Sequence, residues 1–305
     1  MANKVELEKK LALMSNSPDL FKKEITRLKK ELAEMSKKPQ HRSAWETVKL
    51  ARNPGRPILQ DYLANIFTDF VEFHGDRRFS DDKAIASGFA RIGNEPVMVI
   101  GHNKGKNIEE NIERNFGCAL PDGYRKALRM MQLAERFNVP IITFIDTQGA
   151  FPGLEAEERG QAEAIARNLV EMAHIKVPII CIVVGEGGSG GALGIGVGDK
   201  ILMLSNAVYS VISAEGCAGI LWRDGTKAPL AAAALKPTAP SLKKLNVIDR
   251  IIDEPAEGAH TDVNATYAAV KAAILEELKP LKRMAKAKLT KRRFEKFSKM
   301  GIYTE

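Results

Sequence analysis

Apolar residues recur along this chain in two rhythms, one helical and one strand-like, and their order outlines an architecture. Near the N-terminus Phe21, Ile25, Leu28, Leu32 and Met35 step by four and three among lysines and glutamates. That narrow stripe predicts a helix packing on another helix. Ser17 suits its N-cap and Pro18 its first position, and Lys38-Pro39 closes it, which makes residues 1–39 a helical arm. Two short apolar runs follow, Ala84 to Ile92 and Val97 to Ile100, split by Gly93-Asn94-Glu95-Pro96 and read as a hairpin. Residues 101–123 are polar and glycine-punctuated, a loop. From Tyr124 to Asn138 the apolar spacing turns helical at Ala127, Met130, Met131, Ala134 and Phe137.

A unit then repeats. Val139-Pro140 leads a strand to Asp146, and Val177-Pro178 leads a second, Ile179 to Val184, of the kind buried on both faces. A glycine-bearing turn follows each: Thr147 to Gly153 after the first, and after the second a cluster that begins at Gly185, where the strand is expected to end. Between them Glu157 to His174 reads as one helix, with Ala162, Ile165, Ala166, Leu169 and Met172 inward. Further strands are expected at 200–204 and 207–213. Ser213 starts another helix, and helices follow at 228–235, 241–245 and 261–279, the last interrupted by Pro280. Strand, turn and helix in succession call for an α/β fold with parallel pairing. Ligands in such sheets bind beyond the carboxyl ends of the strands, where both glycine turns lie. The expected division is an arm to residue 39, one domain over 40–280, and a C-terminal tail over 281–305.

Five glycines fall among the seven residues Gly185 to Gly191, and several chemistries compete for them. Gly185-x-Gly187-x-x-Gly190 fits a dinucleotide fingerprint, but no acidic residue follows about 20 positions on to grip a ribose. Gly187-x-Ser189-x-Gly191 fits a nucleophile elbow, with His260 and an aspartate such as Asp249 available for a serine hydrolase. Alternatively, bare backbone amides at a helix start form an oxyanion hole, and no side chain does covalent chemistry. Close packing alone would need fewer glycines than five, which favours the oxyanion hole.

Composition narrows the class. A chain of 305 residues, 45% hydrophobic and 28% charged, suits a soluble globular protein with a sizeable core. No apolar run reaches the roughly 18 residues of a membrane span, and the N-terminus lacks a signal-peptide core. Cys118, Cys181 and Cys217 form no C-x-x-C pair, so neither a zinc site nor a disulfide framework is expected, and a reducing cytoplasm fits. The net charge of +8 sits mainly in the C-terminal segment from Lys271, read as a solvated face or as a surface for an acidic or phosphate-bearing partner. Lys104, Lys106, Arg114, Arg125 and Lys126 also make the region around the 101–123 loop basic, either solvated or facing phosphate.

Three stretches together carry a resemblance: Arg159 to Leu169 (R-G-Q-A-E-A-I-A-R-N-L), the glycine cluster, and Tyr209 to Ala218 (Y-S-V-I-S-A-E-G-C-A). They closely resemble the carboxyltransferase alpha subunits of bacterial acetyl-CoA carboxylase, from the mid-forties to about Asp253 and more loosely at both ends. The resemblance implies a crotonase/ClpP-like superhelix of ββα units with N- and C-terminal helical extensions. It implies transfer of a carboxyl group from carboxybiotin to acetyl-CoA, giving malonyl-CoA for fatty acid biosynthesis. The amides of Gly190 and Gly191 are then the catalytic donors to the biotin ureido oxygen, with Gly149, Ala150, Phe151, Gly187, Gly188 and Ser189 on the carboxybiotin side. Implied partners are a zinc-bearing beta subunit in an α2β2 heterotetramer, the biotin carboxyl carrier protein and biotin carboxylase, with no metal held by this chain. Gln148 and Phe151 stand where the family usually has Pro and Tyr, which removes a ring constraint and a phenol hydroxyl.

Overall fold

The computed structural model describes residues 42–301, residues 21–28, and Leu7, Lys10, Leu11, Leu13 and Met14. Of the N-terminal arm, residues 22–28 are helical, with Leu28 buried and Phe21 exposed. The Ser17 cap, Leu32, Met35 and the Pro39 stop lie outside the described residues.

Two helices, α1 (Ala44–Ala51) and α2 (Leu59–Ile66), precede the first strands, and a capping box between Ser43 and Glu46 opens α1. Strands β1 (Thr68–Glu72), β2 (Ile85–Ile92) and β3 (Glu95–His102) form an antiparallel meander. The expected hairpin is there, with Ile92 opposite Glu95. The expected loop of residues 101–123 is more structured: β3 takes its first two residues, a short helix α3 (Ile108–Glu113) its middle, and α4 (Pro121–Arg136) its end. Pro121 at the first helical position explains the early start, since its missing N–H would have no partner there.

Strand β4 (Ile141–Thr147) is buried along its whole length, as expected of the Val139-Pro140 run. The helix expected over 157–174 is instead two, α5 (Leu154–Glu158) and α6 (Gln161–His174). Gly160 at φ +81° makes the break. Strand β5 (Ile179–Gly188) does not stop at Gly185 but continues through the first glycines. Its first half pairs with β6 (Lys200–Leu204). Glu186 to Gly188 pair with β7 (Val208–Ser210), which keeps the ladder going past Gly185. β7 is shorter than the expected 207–213 strand because its partner, β5, runs out at Gly188.

A short helix α7 (Ser189–Leu193) follows β5 directly. Then come α8 (Ala214–Trp222), capped by the Ser213 hydroxyl, α9 (Ala228–Leu235), α10 (Ala239–Lys244) and β8 (Arg250–Ile252). The sheet order is β1-β2-β3-β4-β5-β6-β8, with β7 on the end of β5. All pairs from β3 onward are parallel.

Helix α11 (Val263–Lys282) runs past Pro280, which sits in its last turn, where losing one N–H bond ends the helix only two residues later. The C-terminal segment forms α12 (Lys286–Ser298), seated on the body by Leu289 and Arg293, both buried. The Arg293 guanidinium pairs with Asp199 at 2.7 Å and donates to the carbonyls of Met172, Ile175 and Val177. Part of the tail's basic charge is therefore spent inside the chain. Among the described residues no helix is long and apolar enough to cross a membrane.

Candidate functional site

β4 and β5 are parallel neighbours, so their carboxyl ends deliver both glycine turns to one edge of the sheet. There the turns touch backbone to backbone. A Cβ on Gly188 would overlap the Gln148 carbonyl, and one on Gly191 would lie 2.5 Å from the Ala150 nitrogen and 2.9 Å from the Gly149 oxygen. Gly185 and Gly187 are closed off in the same way by the side chains of Asp146 and Tyr209. Close packing thus accounts for four of the five glycines, and the density of the cluster is no evidence for an oxyanion hole. Gly190 differs: its nearest neighbour is Ile165, at an ordinary 3.7 Å.

What bears on chemistry is the state of the amides. Gly190 and Gly191 lie in the first turn of α7, whose opening N–H groups have no intrahelical acceptor. The N-cap is Gly188, so no side chain caps them. Among the described residues neither N–H finds an acceptor in the chain. Phe151, Gly149 and Ala150 lie half-buried on the facing turn, and Gln148 is exposed. Thr147 fixes that turn, its hydroxyl donating to the Gly149 carbonyl at 2.7 Å.

Helix α6 holds both turns from one side. Its buried face carries Gln161, Ala164, Asn168 and Met172, whereas Ala162 and Ala166, expected inward, are exposed. The apolar spacing misled because two polar residues are buried for their hydrogen bonds. Gln161 donates to the carbonyls of Ala119 (2.8 Å) and Phe151 (3.0 Å), and Asn168 to those of Tyr124 (2.9 Å) and Gly194 (2.8 Å). One helix therefore ties down the chain beside each turn.

Under the turns runs a chain of ionic contacts. The Asp146 carboxylate accepts the Glu186 N–H at 2.9 Å and the Lys104 ammonium at 2.7 Å. The Glu186 carboxylate in turn receives Arg52, the C-cap of α1, which also grips Glu215 at the start of α8. Burial works against the Lys104 ammonium, but Asp146 and Glu186 outweigh it and raise its pKa above the ordinary lysine value. His102 lies buried beside the backbone of Gly191 and Phe144. Burial pushes its imidazole down to about 4, so it is neutral at physiological pH and accepts the Asp146 N–H on Nδ1. Arg52, Gln148, Glu186, Gly187 and Gly188 line a cleft at this edge. Sequence reasoning missed Arg52, Lys104, Glu186, Gln161 and Asn168 as parts of this site. The last two stood within the Arg159–Leu169 run that carried the resemblance.

The serine-hydrolase alternative fails on geometry. Ser189 lies beyond the carboxyl end of β5. Asp249 precedes β8 at the opposite edge, accepting the Ile201 N–H and pairing with Lys296. His260 neighbours Asn53, Gly55 and Gly258, not Ser189. The phosphate-facing reading of the basic loop also falls. Lys104, Lys106, Arg114, Arg125 and Lys126 are each paired with a carboxylate, of Asp146, Asp61, Glu110, Asp76 and Asp81 respectively. Cys118, Cys181 and Cys217 are free thiols, and among the described residues no group of His, Cys, Asp and Glu could hold a metal.

Comparison with known proteins shows the family. The family described as acetyl co-enzyme A carboxylase carboxyltransferase-like matches residues 2–301. The acetyl-coenzyme A carboxylase carboxyl transferase subunit alpha of Pasteurella multocida is 56% identical over 279 residues, 91% of this chain and 88% of that protein. The subunit of the same name from Geobacter metallireducens is 54% identical over 304 residues, 98% of this chain and 96% of that one. In structure, the beta subunit of geranyl-CoA carboxylase from P. aeruginosa superimposes with a TM-score of 0.58 at 18% identity. The match covers 81% of this chain and 47% of the solved one, so the chain spans about half the length of that neighbour. The likeness is one of fold, the crotonase-like fold of carboxyltransferases. The chain belongs to the acetyl-CoA carboxylase carboxyltransferase family, among its alpha subunits.

Proposed function

We propose that this chain supplies the biotin-side half of a carboxyltransferase active site whose other half lies on a beta subunit. The observation that carries the reading is the pair of unclaimed amides, Gly190 and Gly191, at the junction of two turns in backbone contact. That edge also fits the group. A side chain at Gly190 meets only Ile165 at ordinary contact distance, the donors are neutral, and the nearby acids are engaged by Lys104 and Arg52. When bound, carboxybiotin on its carrier protein would supply the carboxyl group that acetyl-CoA accepts.

The chain's own task is to stabilise negative charge at the ureido oxygen as that carboxyl group departs. Gly190 and Gly191 do so with preorganised N–H donors, each typically worth about 3 kcal/mol. Because the donors are backbone, no change of protonation is needed in the chain. Gln161, Asn168 and Thr147 keep the two turns in place, and the Lys104–Asp146–Glu186 chain holds the strand end that presents them. Gly149, Ala150, Phe151, Gly187, Gly188 and Ser189 form the surrounding wall. The acceptor thioester and any zinc belong to the beta subunit in this reading, with the biotin carboxyl carrier protein and biotin carboxylase as further partners in an α2β2-centred complex.

The test has two parts. Malonyl-CoA decarboxylation with biocytin is measured for the chain alone and with its beta subunit, and activity is expected only from the pair. In the 15N-labelled chain, biocytin should move the amide resonances of Gly190 and Gly191 downfield. Full activity from the chain alone, or shifts elsewhere with these two amides unmoved, refutes the assignment.

A further inference from the structure

A second recess opens between α4, α6 and the loop of residues 74–80, on a different face of α6 from the Ile165 that meets Gly190. Its ionisable lining is Asp76, Arg78, Arg125, Arg129, Glu163 and Arg167. Two of these are saturated. Asp76 accepts the N–H groups of Arg78, Phe79 and Ser80 and the Arg125 guanidinium, while Arg125 also bonds Asp122 and the Arg159 carbonyl. Three arginines are left with spare donors. Among the described residues Arg167 is tied only to Glu171, one turn along the same helix at 2.9 Å. Arg129 gives its N–H groups to the carbonyls of Gly75 and His74 and, among the described residues, to no carboxylate. The Arg78 side chain makes no hydrogen bond or ion pair among the described residues. Burial and the neighbouring Arg77 both work against the Arg129 charge. Glu163 adds one negative charge at the exposed side, and the recess stays net positive.

Like charges that outnumber the carboxylates among them raise the free energy of the empty site and lower it when an anion arrives. We propose that this recess binds the phosphate group of a small phosphorylated molecule. Three guanidiniums from three separate segments suit a tetrahedral dianion, whose three free oxygens can each take one fork, whereas a carboxylate offers two. Walls of α4 and α6 bound the recess, and a long polyanion would instead need a basic stripe along the surface.

The test is calorimetric titration of the full chain in low salt with inorganic phosphate and, separately, with glycerol 3-phosphate. Saturable binding of either is expected, and the tighter of the two identifies free phosphate or a phosphate ester as the natural ligand. Arg78→Gln, which removes no hydrogen bond or ion pair among the described residues and should leave the fold intact, should weaken binding about tenfold, the usual effect of one charge-assisted hydrogen bond. Arg167→Gln should act in the same direction. Lys288→Gln, at an exposed position of α12, should leave binding unchanged. No saturable binding, equal affinity in Arg78→Gln and the parent, or competition by succinate as strong as by phosphate overturns the proposal.

Discussion

Adding one methyl group at Gly191 should separate the two turns, and adding it at Gly190 should not. The Gly191 Cβ would sit 2.5 Å from the Ala150 nitrogen, roughly 1 Å short of the 3.4 Å where ordinary contact begins. The obstacle is backbone, held by Thr147 and by Gln161, so no rotamer change relieves it. Overpacking of this kind costs about 1–3 kcal/mol. In a domain of this size that lowers Tm by roughly 2–12 °C. A misplacement of about 1 Å at a reacting centre costs on the order of 100-fold in turnover. At Gly190 the methyl meets only Ile165 at 3.7 Å, so Gly190→Ala should hold its Tm within about 2 °C. Both variants are prepared with the beta subunit, checked for assembly by size exclusion, melted, and assayed for malonyl-CoA decarboxylation with biocytin. Equal melting temperatures for Gly191→Ala and Gly190→Ala would refute the packing argument. A Gly191→Ala enzyme of full activity would detach the turn contact from catalysis.

Ser189 holds φ +49°, a left-handed value awkward for a residue with a Cβ. Ser189→Gly should therefore raise Tm by about 2–4 °C and keep activity, and its inactivation would restore a role for the hydroxyl. Arg293→Ala leaves the Asp199 carboxylate and three carbonyls without their donor, so urea unfolding should report a loss of about 3–5 kcal/mol. A loss below about 1 kcal/mol would mean that water replaces the guanidinium. His102 has its folded value pushed down to about 4 from 6.5, so its contribution to stability is complete above 6.5 and fades as pH falls toward 4. The stability difference between the parent and His102→Gln should shrink over that window. Parallel curves would show that His102 does not charge there.

Much of the fold was written in apolar runs. β4 and β5, buried on both faces, announce themselves as unbroken β-branched stretches after Val-Pro, and the hairpin by its turn residues. The features that pattern reading lost have one cause: they depend on partners far along the chain. β5 runs on to Gly188 because β7, some 20 residues later, continues its ladder. Gln161 and Asn168 face inward because carbonyls of other elements await them, an inversion that hydrophobic periodicity cannot register. Arg52 meets Glu186 across 134 positions of sequence. The glycines were visible, but their meaning was not. Only the positions of Gln148, Gly149, Asp146 and Tyr209 reveal that most of them are spacers and that Gly190 alone would accept a Cβ without a clash.

The seat of Arg293 has a consequence for how the chain is made. Its guanidinium closes the carbonyls of residues 172, 175 and 177, where α6 hands over to β5, and neutralises Asp199 just before β6. All four groups leave the ribosome more than ninety residues ahead of it. At about 5–20 residues per second, the central parallel strands wait several seconds with one end unsealed. A message truncated between codons 200 and 292 yields a chain that holds every glycine of the site and lacks the guanidinium that closes this seam. Closure of that seam therefore waits on the synthesis of α12, the helix that carries Arg293.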